Sequence, residues 1–411
     1  MLSAPWAFAL LMLMYPLEQL LQASGGPFLT FPWLGNVITA TCVGIAVLRI
    51  FIKRPWIING YANSQWVISS VLILWSLASL AWSPSRESAW QIINSWYPFI
   101  VLNIFVGSLL VFDLDTLRRA CVSLLISGVI LALVISTSSD FRNVSGRLVA
   151  GLGGSQMTNP LVLGEFGGSL LICSLLIGNR GVVFAILRAV GFLLGSAITL
   201  QSGSRGQLLF AIVLSVLFFP VARKVNSFRN FIASAALFLL ATVVFAYIAP
   251  MFLQGYGLSR WETGVVEDSL MGRMQNSLDL LRALMVNPLA WIFGLGYNAF
   301  STIGQAKNEV YAHNVSIEVL AELGIPMFVL YVTMLWRACR DGRQLRRDNA
   351  DYPEIRSAIG ILLAVTCYQF MLAQKQGTLW ACGGLLMLII TINRLQRRNA
   401  LDTEALPNSG T

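Results

Sequence analysis

The chain has 411 residues, 56% of them hydrophobic and 11% charged, with a mean hydropathy of +0.70. These values exclude an ordinary soluble domain and point to a polytopic membrane protein. The net charge of +9 does not indicate a nucleic-acid partner, because most of the excess sits in short loops, where it fixes membrane orientation.

A spanning helix needs about 20 apolar residues. By that test the sequence predicts an all-α polytopic membrane protein of about twelve spans: 4–21, 34–52, 66–82, 91–112, 120–137, 159–178, 183–201, 206–222, 231–252, 314–336, 356–373 and 379–395. Residues 1–398 form a single transmembrane domain in this reading. The first run has no basic n-region and no cleavage site, so it stays as a helix. Residues 253–313 form one large external loop between the ninth and tenth spans, and 399–411 form a disordered cytoplasmic tail. With both termini inside, nineteen of the 28 Lys and Arg residues fall on the cytoplasmic side. That bias sets the orientation. The six cysteines (42, 121, 173, 339, 367 and 382) avoid the predicted external loops, so neither disulfides nor a cysteine metal site is expected.

The long loop and its flanks carry the candidate chemistry. Ionisable groups at a membrane edge are functional candidates by default, since burying them unpaired is costly. The external-edge set is Glu18, Arg147, Glu165, Arg205, Arg273, His313, Glu318 and Glu322, with Arg260 further along the loop. Its basic members suggest an anionic ligand.

Arg205 lies in Gly203-Ser204-Arg205-Gly206, a turn that opens a helix, where backbone and helix dipole both suit an anion. The alternative is an arginine snorkelling to anchor the helix end. Arg273 begins a predicted amphipathic helix, Arg273 to Val286, with Met274, Leu278, Leu281 and Met285 as its apolar face. Arg273 and Arg282 point in nearly opposite directions on such a helix. Arg282 can pair with Asp279 three residues before it, which leaves Arg273 as the ligand contact.

His313 is the only histidine. It stands at the start of a predicted span with Asn314 as N-cap. The positive helix end disfavours protonation and keeps the imidazole neutral, as a general base requires. Glu318 and Glu322 share one face of that helix and either line a cavity or hold helices together. No HExxH, P-loop, GxGxxG or Ser–His–Asp order is present. No metal site and no cofactor are expected.

Taken in order, the blocks Ser204-Arg205-Gly206, Gly272-Arg273 with Pro288 downstream, Gly294-Leu295-Gly296-Tyr297-Asn298-Ala299-Phe300, and His313-Asn314 followed by Glu318-Val319-Leu320-Ala321-Glu322-Leu323-Gly324 resemble the O-antigen ligase/polymerase superfamily. The resemblance covers roughly residues 200 to 330, and its last block is the most specific. It implies a GT-C-like fold in the bacterial inner membrane, with short amphipathic helices in a periplasmic loop. It further implies a metal-independent, inverting glycosyltransferase that takes a glycan from an undecaprenyl diphosphate carrier. The ligase branch, which the chain resembles most, transfers O-antigen to lipid A–core.

In that setting His313 is the base, and Arg205 and Arg273 bind the diphosphate and stabilise the leaving group. Arg147, Arg260, Asn314 and Glu318 are substrate contacts, membrane lipids surround the site, and a monomer is expected. The chain departs from the family at Ser277-Leu278, where a tryptophan is usual, and offers Gln374-Lys375-Gln376 rather than a carboxylate in the last external loop. A polymerase of the same superfamily is the nearest alternative. A lipid or polyanion transporter is the alternative from another class.

Overall fold

The computed structural model describes residues 3–54, 62–144, 146–152, 157–178, 181–224, 229, 232, 263–303 and 312–404. Within them the helices run, in chain order, α1 (Ala4–Met12), α2 (Met14–Ala23), α3 (Pro27–Thr30), α4 (Leu34–Lys53), α5 (Ser64–Ala78), α6 (Arg86–Val101) and α7 (Leu114–Thr137). A hairpin of β1 (Phe141–Val144) and β2 (Arg147–Ala150) follows. Next come α8 (Pro160–Leu176), α9 (Val182–Gln201), α10 (Arg205–Ala222), α11 (Thr263–Val286), α12 (Ala290–Phe293), α13 (Val315–Leu323), α14 (Ile325–Asp348), α15 (Pro353–Ala373) and α16 (Gly383–Glu404).

The chain is an α-helical multi-pass membrane protein. Eight helical stretches are long and apolar enough to cross a bilayer among the described residues, and α1 with α2 would make a ninth. The expected twelve are not all found among the described residues, for identifiable reasons. The first span is bent by 66° between α1 and α2. Pro16 has no N–H to donate to the Met12 carbonyl, so the ladder fails there. Helix α8 is apolar but only 17 residues long. The expected span 314–336 is broken at Gly324, whose φ of 87° ends α13 before α14 begins. The span expected at 231–252 lies outside the described residues.

Asparagine and aspartate start several of these helices by accepting a hydrogen bond from a free first-turn N–H. Asn63 does so for α5, Asp113 for α7 and Asn159 for α8. The hairpin was not expected. Its strands are four residues each around a two-residue turn, with Gly146 at φ 74°, too short for alternation to stand out. Helix α16 continues to Glu404, beyond the point where a disordered tail was expected to begin.

The described chain packs as two compact units, each built from three separate segments. The first comprises residues 1–49, 113–266 and 346–368; the second comprises 50–112, 267–345 and 369–411.

In the first unit, α8 and α9 approach through glycines. A Cβ on Gly167 would meet the Gly195 carbonyl oxygen at 2.7 Å, and one on Gly195 would meet that of Gly167 at 2.7 Å. Close backbone approach through small residues is how membrane helices gain dispersion contact without a hydrophobic drive. Gly195→Val should force the pair apart and lower the thermal midpoint of the purified protein by about 5 °C or more. An unchanged midpoint would show that the contact is slack.

The second unit has a core of Leu72, Ile100, Ile104, Val315, Val319, Leu386 and their neighbours. A satellite cluster of Leu280, Leu284, Ala290, Phe300, Ala312 and Ala321 lies beside it.

Candidate functional site

The second unit holds two of the sequence blocks in one structure. The turn after α12 crosses the C-terminal end of α13, where helix carbonyls lack intrahelical donors. Leu295 N–H donates to Ala321 O at 2.9 Å and Gly296 N–H to Glu322 O at 3.0 Å. Trp75 Nε1 donates to Leu323 O at 3.1 Å. The glycines make the approach possible. A Cβ on Gly294 would lie 2.0 Å from Glu322 O, and one on Gly324 would lie 2.4 Å from Ile292 O and 2.9 Å from Gly294 N.

Glu322 closes the same turn from its side chain. Its Oε2 accepts the Asn298 N–H at 2.7 Å and its Oε1 the Phe300 N–H at 3.0 Å. The residue is only 1% exposed, so the carboxyl group and both N–H groups satisfy each other away from water. Asn298 itself is left-handed, with φ 61°.

Glu318, one turn earlier on α13, is also buried and accepts the Leu379 N–H at 3.0 Å through Oε1. Its Oε2 has no partner among the described residues. Of the two roles left open for this pair, Glu322 holds a turn and Glu318 ties α13 to the segment leading into α16.

The connection from α5 to α6 supplies the opposite wall. Ser79 Oγ accepts the Tyr297 N–H at 2.9 Å, and Ser83 donates to Tyr297 O at 2.7 Å. Ser85 donates to Asn298 O, Asn298 Nδ2 donates to Ser88 Oγ, and Trp82 Nε1 donates to Gly294 O. Sequence reading missed this connection. The run Trp82-Ser83-Pro84-Ser85 looks like an ordinary turn, and only its hydroxyl density hints that it serves another backbone.

His313 precedes α13 with φ 58°, an unusual backbone for a side-chain-bearing residue. Asn314 caps the helix as expected, accepting the Ile317 N–H at 3.1 Å. Ser316 N–H reaches Gln374 Oε1 at 3.4 Å, which brings the segment after α15 beside this end of α13.

The expectation for Arg273 needs revision. It lies in the middle of α11 rather than at the start of a helix. The buried side of α11 is Asn276, Leu280 and Leu284, and the supposed apolar residues Met274, Leu278 and Met285 are exposed. Tertiary contact with Phe300, Ala312 and Ala321 selects the face, whereas both faces carry apolar residues in the sequence. Arg273 is half-buried and has no hydrogen bond or ion pair among the described residues. Arg282 pairs with Asp279 at 3.1 Å, as its spacing suggested.

Arg205 and Arg147 belong to the first unit. Arg205 is the first residue of α10, after Gly203 at φ 69°. Arg147 opens β2. Local hydrogen bonds bring these starts together: Ala150 N–H donates to Thr158 Oγ1 at 2.8 Å just before α8, and Gln207 Nε2 donates to Leu161 O at 2.8 Å. Gln19 Nε2 adds α2 by donating to Asn159 O at 3.3 Å. Arg260 lies outside the described residues.

Among the described residues no group of three or more His, Cys, Asp and Glu side chains could hold a metal ion. No protein-family model and no curated protein matches the chain.

Proposed function

We propose that the protein is an O-antigen ligase-type glycosyltransferase, moving a glycan from undecaprenyl diphosphate to lipid A–core on the periplasmic side of the inner membrane. What carries the reading is the ordered set of motifs, with its last and most specific block interlocked with the GLGYNAF turn. The GLGYNAF turn and the Glu322-Leu323-Gly324 end of α13 share hydrogen bonds and glycine contacts. His313 and Asn314 stand at the other end of that helix. The reading takes the fold to be GT-C-like, with both termini in the cytoplasm as the bias of basic residues in the short loops suggests.

The chemistry follows from the residue types. As the sugar leaves its diphosphate, negative charge grows on the phosphate oxygens. Arg205 and Arg273 meet that charge with permanent, bidentate donors. An acceptor hydroxyl must lose its proton as it attacks the anomeric carbon, and His313 takes it. The new bond forms opposite the departing diphosphate, so the configuration inverts. Arg147, Arg260, Asn314 and Glu318 are assigned to substrate contacts; of these Glu318 acts through the backbone it holds rather than from an open surface.

Lipopolysaccharide from a deletion strain tests the assignment. We expect core-only lipopolysaccharide with long polymer left on the carrier, restored by the wild-type gene. A single repeat unit on core would instead make the protein a polymerase. Normal lipopolysaccharide, with uptake or lipid flipping by the protein in proteoliposomes, would make it a transporter. Purified protein should transfer glycan in EDTA, and complete loss of transfer there would rule out the metal-independent mechanism.

A further inference from the structure

A second polar feature lies in the first unit, at the end of α10 remote from Arg205. The C-terminal ends of α8 and α10 meet the N-terminal ends of α9 and α15 there, around a cavity of about 680 Å³. Arg188, Arg223, Lys224 and Arg356 line it. Among the described residues the only carboxylate in the lining is Asp351, which is exposed. None of the four cations forms an ion pair among the described residues.

The bland account is helix capping. Arg223 Nη2 donates to Ile177 O at 2.8 Å, and Arg188 Nε donates to Ser174 O at 3.0 Å. Arg356 donates to Pro220 O, Val221 O and Arg223 O. Cations at helix C-termini satisfy orphan carbonyls and suit the helix dipole. Capping explains where each guanidinium sits, but not why four cations converge on one hollow. Carbonyl oxygens carry no net charge to offset them. Arg223 Nε is buried without a hydrogen-bond partner among the described residues. Burial, and then the neighbouring Arg188, lower Arg223 to about 10, which still leaves it charged at neutral pH.

The wall beside the cavity is apolar and open. Val182, Val183 and Ile186, on the same stretch of α9, are 76%, 77% and 58% exposed. A charged hollow bordered by bare aliphatic surface, at the end of a spanning helix, has the amphiphilic character of a lipid headgroup with its chains. The count of basic residues assigns this end to the cytoplasm.

We propose that this cavity binds a phosphate-bearing anion, with the headgroup of an anionic phospholipid as the occupant the apolar wall favours. The site is separate from the glycosyl-transfer chemistry, and its failure would leave that reading untouched.

Native mass spectrometry of the delipidated full chain tests it. The probes are dioctanoyl phosphatidylglycerol, dioctanoyl phosphatidylcholine and sodium pyrophosphate, each titrated separately. One phosphatidylglycerol molecule should bind with clear preference over phosphatidylcholine. Lys224 makes no capping hydrogen bond among the described residues, so Lys224→Glu should keep the fold. Reversing its charge should weaken binding by about 25-fold, from about 1 kcal/mol per charge at a membrane surface. Lys53→Glu, an equal change of net charge outside the cavity, should leave binding within two-fold. Pyrophosphate binding with the same dependence on Lys224 and no lipid adduct would assign the site to a soluble phosphate, which also supports the proposal. Equal binding of the two lipids, or equal losses in Lys224→Glu and Lys53→Glu, would overturn it.

Discussion

His313→Gly is expected to lower glycosyl transfer by roughly 10²- to 10⁴-fold while leaving the melting midpoint of the purified protein unchanged. The fall is what loss of a positioned general base costs. The choice of glycine follows from the backbone: at φ 58° any Cβ, histidine's included, carries a steric penalty of about 1–2 kcal/mol, so glycine removes the imidazole without adding strain. His313→Ala keeps the Cβ and the strain that histidine already bears, so it should lose activity to the same extent at a similar midpoint. Transfer is read with purified donor and acceptor, and folding by thermal denaturation in the same detergent. Full transfer by His313→Gly would remove the imidazole from the mechanism and leave the left-handed backbone as the feature that matters.

The largest stability effect is expected at Glu322. Glu322→Ala strands the N–H groups of Asn298 and Phe300 in a buried site, at about 1–3 kcal/mol each. The thermal midpoint should fall by roughly 10 °C, or the protein should fail to accumulate. Glu322→Gln should fare little better, because in either amide orientation an NH₂ group faces one of those donors. Glu318→Gln should be milder, at about 1 kcal/mol or less, since the amide oxygen can still accept the Leu379 N–H. Equal losses in the two glutamine variants would mean that Glu322 does not clamp the turn through both oxygens.

Much of the helical layout is legible because spanning helices announce themselves through long apolar runs. The cap at Asn314 and the Arg282–Asp279 pair were readable for the same reason: both are local. What escaped was, apart from Pro16, non-local. Pro16 and Gly324 break runs whose hydropathy is continuous, and the break at Gly324 depends on Ile292 and Gly294 arriving from elsewhere. The buried face of α11 is chosen by Phe300 and Ala321, which the helix's own spacing cannot reveal. For the candidate site, His313 and the GLGYNAF turn stood out in the sequence. The seryl cradle at Ser79, Ser83 and Ser85 did not, because a hydroxyl paired with a distant backbone N–H or carbonyl leaves no periodic trace.

The contact between Gly294 and Gly324 has an evolutionary corollary. Two stretches that touch backbone to backbone must change in concert, since a methyl group on either would push the other aside. Chimeras between homologous chains should then tolerate a graft that carries both halves of the joint, and reject one that swaps a single half.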